Sequence, residues 1–168
     1  MDMEKLKARY GKKELAILPI QEAELCRRYE GVFTAAVNDV LREMGFLHQV
    51  VPNNIRPIRD DMKVCGIAFT VKGTKSLVLE NEMEQRAKML EEIGEGTVVV
   101  WDTSGDDESA QWGEVMTMAS KRRGCKGAVI DGGVRDTNKV LEQNFPVFCK
   151  YRTSNGMLGR FRLVDWLI

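Results

Sequence analysis

Two short runs, "TVVVW" at 97–101 and "GAVID" at 127–131, restrict the folds open to this chain more than any other feature. Both are almost wholly apolar and rich in β-branched residues, with no polar residue alternating. Such runs form strands covered on both faces, the habit of parallel sheets. Segments of helical periodicity lie before, between and after them. Alternating strands and helices imply parallel strands joined by crossover helices, an α/β fold with a mostly parallel central sheet. With 168 residues, 43% of them apolar, the chain is one domain's worth and can bury a core.

The first thirty residues read as a charged helical extension broken near Pro19, which sets residues 1–32 apart from a domain at 33–168. "TAAVNDVLREMG" is the first clear helix, with Val37, Val40, Leu41 and Met44 on one face, Thr34 as its cap and Gly45 as its stop. "KVCGIAFTVKG" reads as a strand, and Glu80 to Ile93 as a helix whose inner face holds Met83, Ala87, Leu90 and Ile93. The loop "DTSGDDESAQ" leads to a helix starting at Trp112 or Gly113 and ending at Gly124. After "GAVID" come the turn "DGGVRD", a short helix to Gln143, and the strands "PVFCKY" and "FRLVDWLI".

Parallel strands have a consequence for chemistry. The loops after "TVVVW" and "GAVID" emerge at the same carboxyl edge of the sheet, where open α/β sheets bind ligands. "WGEVM" and "GGVRD" therefore converge. The first turn of a helix carries unpartnered amides and partial positive charge. Gly113 has no side chain to keep an anion from the amides of Glu114, Val115 and Met116. Arg135 adds a cationic fork for a carboxylate or an enolate oxygen. Asp136 is an oxygen donor of the kind that holds Mg²⁺ or Mn²⁺, and Glu114 can bind a water of that ion. Together these groups suit a 2-oxo acid and its metal-assisted retro-aldol cleavage or decarboxylation.

Each feature also has a plainer reading. "DGG" suits a tight turn with positive φ. Asp136 can cap the next helix, Arg135 can form a surface ion pair, and Glu114 is a favourable first-turn acid. "GDDES" reads as solvated, and the Met-rich "EVMTMAS" as core packing. Four cysteines without a CxxC pair, and the single histidine His48, argue against a zinc site. Cys65 and Cys149 read as small core residues. Zero net charge argues against a general nucleic-acid binder. No apolar stretch approaches the length of a membrane span. The charged N-terminus lacks a signal-peptide core, so the expected location is cytoplasmic.

Glu114 is separated by twenty residues from Arg135-Asp136, within "WGEVM…ASKRRGCKGAVIDGGVRD". That spacing and its surroundings resemble the 4-hydroxy-4-methyl-2-oxoglutarate aldolase and regulator of ribonuclease activity A (RraA-like) family. The likeness runs from about Phe33 to the C-terminus, through "GIAFTVKG", "GTVVVWD" and "FPVFCKYRTSNGMLGRFRLVD". It implies a swivelling β/β/α domain, a homotrimer or homohexamer, and active sites between subunits. It also implies that Asp136 binds the metal, Arg135 contacts the 2-oxo acid, residues Gly113 to Met116 hold its carboxylate, and Glu114 acts through bound water. Regulators of this family can lose the Asp after Arg, whereas this chain keeps Asp136. The family usually continues past the position of Ile168 with further strands and an acidic segment that can reach a neighbour's site.

The expected activity is thus a divalent-metal-dependent lyase releasing pyruvate from a 4-hydroxy-2-oxo diacid, with oxaloacetate decarboxylation beside it. The alternative is a non-catalytic regulator of the same fold. An imine-forming aldolase is the weaker third, because no lysine stands in 113–116 or 132–136.

Overall fold

The computed structural model describes residues 18–168. The first part of the expected N-terminal extension, residues 1–17, lies outside the described residues. Helix α1 spans Glu22–Glu30 just after Pro19, and α2 spans Thr34–Glu43. The remaining elements are β1 (Arg56–Pro57), β2 (Ile67–Lys75), α3 (Glu82–Glu92), β3 (Thr97–Asp102), β4 (Ala110–Trp112), α4 (Glu114–Arg122), β5 (Gly127–Val134), α5 (Thr137–Glu142), β6 (Val147–Arg152) and β7 (Phe161–Trp166).

One seven-stranded sheet has the order β1-β6-β5-β3-β2-β7, with β4 paired to β5 off this path. β2, β3, β5 and β6 run parallel to their neighbours among these four, and the flanking β1 and β7 are antiparallel. The two apolar runs are adjacent, with Val98–Trp101 registered against Gly127–Ile130. Their central placement fits the lack of alternation only in part: β5 is buried along most of its length, but on β3 Val100 is 37% exposed, so that strand is not covered on both faces. Phe69, Val71, Val99, Trp101 and Ile130 belong to one buried cluster with Met89, Ile93, Phe161 and Leu163. Each such side chain withdrawn from water contributes about 1.5–3 kcal/mol.

The inner face of α3 differs from the periodicity reading. Its buried residues are Glu82, Arg86 and Met89, continuing to Ile93, while Met83 is 62% exposed. The helix is rotated because Glu82 and Arg86 satisfy each other inside the core. Arg86 Nε donates to Glu82 Oε1 at 2.7 Å, and the amide of Leu163 donates to both Glu82 oxygens. On α4 the buried residues are Thr117 and Ser120, not the whole Met-rich face; Met116 packs on the core, and Met118 and Val115 are exposed. Helix α2 buries no residue, with Val40 and Met44 exposed, and Thr34 is its first residue rather than its cap. Gly45, at φ 88°, ends it as expected.

Two features of the expected loop–turn framework change. Ala110–Trp112 forms β4, so Trp112 belongs to a strand and α4 begins after Gly113. Asp131–Val134 belongs to β5, which leaves only Arg135 and Asp136 to turn the chain. Gly132 and Gly133 serve close packing, not positive φ. A Cβ on Gly132 would lie 2.4 Å from Gln111 Oε1, and one on Gly133 would lie 2.5 Å from Ser109 O and from Tyr151 Cε2. The glycines therefore let the 103–111 segment lie directly on β5.

Candidate active site

Convergence at the carboxyl edge begins with β4 and β5 pairing in parallel, Trp112 beside Val134. The Arg135 amide donates to Trp112 O at 3.0 Å, which ties the start of the turn to the residue before Gly113. Trp112 is itself anchored: its indole N–H donates to Thr117 Oγ1 at 2.8 Å, and its ring stacks on Phe145. The first turn of α4 is thereby oriented from both sides.

A cavity of ≈ 520 Å³ opens there, and Gly113, Glu114, Val115, Met116, Arg135 and Asp136 all line it. All six candidate residues meet in one place. Gly113 abuts both others of the motif, since an added Cβ would lie 2.8 Å from Asp136 Oδ2 and 3.1 Å from Arg135 Cγ. Asp136 has φ 52° and stands at the start of α5, but its side chain makes no capping bond. Its Oδ2 instead lies 3.3 Å from Arg135 Nε and 3.4 Å from the amide of Glu114. Both side chains of the pair stay substantially exposed, 47% and 40%, so their mutual attraction is worth at most about 1 kcal/mol and leaves both open to a ligand.

Sequence reasoning missed the other walls. Ser154, Asn155 and Gly156 enter from the β6–β7 loop, and Gly156 faces Arg135, with an added Cβ 3.1 Å from its Nη1. That loop is stitched to β4 by the Ala110 amide donating to Asn155 O at 3.0 Å. "TSNG" between two strands is the only sequence signal for it. Arg86 also lines the cavity while only 4% exposed. Its Nη1 donates to Gln111 O at 3.0 Å, and its guanidinium lies 4.9 Å from the Trp101 ring centroid. Burial pulls its pKa below the usual arginine value, Glu82 works against that shift, and the charge of Arg135 adds to it.

Behind the cavity, the "GDDES" loop is only partly solvated. Asp106 is 2% exposed, and its Oδ2 accepts from the Ser109 amide and hydroxyl and from Gln111 Nε2. Gln111 Oε1 accepts from the Gly133 amide at 3.0 Å, so this network locks β4 onto β5. Tyr151 donates its hydroxyl to Ser109 O at 2.9 Å; burial first, then the Asp106 charge, push its pKa upward. Elsewhere, Cys149 is buried as expected and Cys65 only partly so, while His48 is exposed and stands outside the cavity lining.

No lysine is among the residues lining the cavity. Among the described residues no group of three or more His, Cys, Asp or Glu side chains is placed to hold a metal. The donor set still fits one class of ion. Mg²⁺ is commonly held by one or two carboxylates, with waters and substrate oxygens completing its shell. Asp136 supplies such a carboxylate and Glu114 a second one in the same cavity.

A family model described as RraA-like, Aldolase/RraA, matches residues 34–161, which run from α2 to the first residue of β7 and include every candidate residue. The chain belongs to the RraA-like family. A solved structure described as one of the novel cellulases from microbes associated with the gut ecosystem is 46% identical, covers 99% of this chain and 75% of its own, and superposes with a TM-score of 0.90. A protein of Halalkalibacterium halodurans, provisionally assigned as a 4-hydroxy-4-methyl-2-oxoglutarate aldolase, is 28% identical over 79% of this chain and 59% of its own length. Streptomyces coelicolor RraAS2, described as an unusual member of the RNase ES inhibitor RraA family, shares the fold at 23% identity and a TM-score of 0.76, over 88% of this chain and 73% of its own. The chain spans less than two thirds of the length of the curated relatives it matches. Among the described residues no helix is long and apolar enough to cross a membrane.

Proposed function

We propose that this RraA-like domain is a divalent-metal-dependent carbon–carbon lyase that releases pyruvate from a 4-hydroxy-2-oxo diacid. The observation that carries the reading is the meeting of the α4 amides, Arg135 and Asp136 in one cavity. The substrate carboxylate docks on the amides at the start of α4, where Gly113 leaves the approach open. Arg135 faces the 2-oxo oxygen and stabilises the enolate charge that develops there. Asp136, with Glu114 near it, would hold Mg²⁺ or Mn²⁺, and the bound ion would supply Lewis-acid polarisation of the keto group.

Glu114, through a water, takes the proton of the 4-hydroxyl group. The C3–C4 bond then breaks, its electron pair passes into the enolate, and protonation of C3 gives pyruvate beside the second carbonyl product. Oxaloacetate decarboxylation passes through the same enolate and is the expected side activity. The exposed apolar side chains of α2 and the following segment, Val40, Met44, Phe46 and Leu47 among them, support assembly as a homotrimer or homohexamer.

A coupled pyruvate assay over a panel of 2-oxo acids, with and without Mg²⁺ or Mn²⁺, tests the reading. Metal-dependent pyruvate release that Asp136→Ala abolishes is the expected result. Unchanged turnover in that variant overturns it. Absence of pyruvate from every substrate, with capture of a ribonuclease, points to the non-catalytic regulator instead. A cellulose assay belongs in the same panel because of the relative so described. The cavity favours a small acid over a glycan chain, since its one aromatic lining residue, Trp112, is 1% exposed and offers no stacking surface.

A further inference from the structure

Arg86 has more hydrogen-bonding capacity than the fold uses. Its Nε is taken by Glu82 and its Nη1 by Gln111 O, yet its buried Nη2 has no partner. Among the described residues, of the buried side-chain polar atoms without partners, it alone belongs to a residue lining the cavity. A buried charged donor left without a partner is costly. A guanidinium held on three sides, by Glu82, Gln111 O and the Trp101 face, is also preorganised, so little entropy is lost when a ligand reaches it. Three arginines line the cavity, Arg86, Arg135 and Arg160, against two carboxylates, Glu114 and Asp136. Arg160 is a solvated rim residue, so the two guanidinium groups that a ligand in the cavity can meet are those of Arg86 and Arg135.

We infer that Arg86 forms a second anion subsite in the cavity wall and selects 2-oxo acids that carry a further carboxylate beyond the reacting end. The inference rests on the proposed 2-oxo acid site and adds to it the residue that distinguishes diacids from monoacids. Met83 and Met157 line the same cavity, and such unbranched thioethers yield readily, which gives the distal carboxylate access to the guanidinium. Arg160, whose side chain is 49% exposed and 3.7 Å from Glu108, is a solvated rim residue and contributes little to the choice.

Calorimetric titration with 2-oxoglutarate, its 5-methyl ester and pyruvate, each with Mg²⁺ present, tests this. The intact chain should bind 2-oxoglutarate at least about tenfold more tightly than the ester or pyruvate, a step that one charged hydrogen-bonded contact supplies. Arg86→Lys keeps the charge opposite Glu82 but loses the fork; it should reduce the preference to within about threefold and leave pyruvate affinity within about twofold. The double variant Glu82→Gln, Arg86→Met removes both buried charges together and should show the same loss. Arg160→Gln should keep the preference. Equal binding of all three probes by the intact chain, no binding of any, a preference retained in a folded Arg86 variant, or its loss in Arg160→Gln would each overturn the inference. Diacid preference that depends on Arg86 without pyruvate release would sink the lyase reading alone. Pyruvate release with no dependence on Arg86 would sink this inference alone.

Discussion

Gly113 and Asp136 are in contact although 22 residues separate them, close enough that a methyl group on Gly113 would stand 2.8 Å from Asp136 Oδ2. The glycine thus does two things. It leaves the α4 amides approachable, and it leaves the Asp136 carboxylate where it is. Gly113→Ala should lower kcat/KM for pyruvate release by about 10–100-fold, because a displacement of an ångström at a positioning site is enough for that loss. The fold should survive, since the clash is with a side chain that can move outward. Steady-state kinetics beside a thermal melt separates the two effects.

The β5 glycines have no such freedom. Gly133→Ala would drive a methyl against the backbone oxygen of Ser109 and the Tyr151 ring, so it should cost about 2–4 kcal/mol, in the range of severe overpacking. Chemical denaturation should show a lowered midpoint. A midpoint equal to that of the parent chain would mean that β4 is not held on β5 as described.

Glu82 and Arg86 are both almost fully buried, 3% and 4% exposed. Glu82→Ala strands the guanidinium and the Leu163 amide together, and should destabilise by about 3–5 kcal/mol. Replacing both residues with apolar ones of similar size should recover part of that loss. A double-mutant cycle in urea measures the coupling.

Tyr151 gives an alkaline signature. Its phenol is more weakly acidic in the folded chain than in the unfolded one, because of burial and then Asp106. The folded state therefore retains a proton that the unfolded state loses above about pH 10. The contribution is fully present below that pH and falls as pH rises, by up to about 1.4 kcal/mol per unit. The stability advantage of the parent over Tyr151→Phe should shrink between pH 9 and 11, measured by denaturant titration at each pH.

Much of this was legible in the residues. "TVVVW" and "GAVID" announced parallel strands; their adjacency, and the exposure of Val100 on one face of β3, appear only in the folded chain. Parallel strands in turn required "WGEVM" and "GGVRD" to meet at one edge, and Gly113, Glu114, Arg135 and Asp136 do line one cavity. Topology alone carries that inference. It does not depend on which way any side chain points.

What the residues did not disclose depends on side-chain partners distant in sequence. The periodicity of Glu80 to Ile93 gives the inner face to Met83, Ala87, Leu90 and Ile93 and points to neither Glu82 nor Arg86, since a lone charge in a core is prohibitive. Only the folded chain brings Leu163, Gln111 and Trp101 around them and makes their burial tolerable. Asp106 read as solvated for the same reason, until Ser109 and Gln111 are seen to close on it. Gly132 and Gly133 read as turn formers, because a sequence cannot distinguish a glycine needed for φ from one needed for space. The backbone course and the edge at which the candidate site lies were therefore set by local pattern and sheet geometry. The cavity's buried walls were decided by tertiary contacts, where each polar group is tolerated only through partners that the chain supplies on folding.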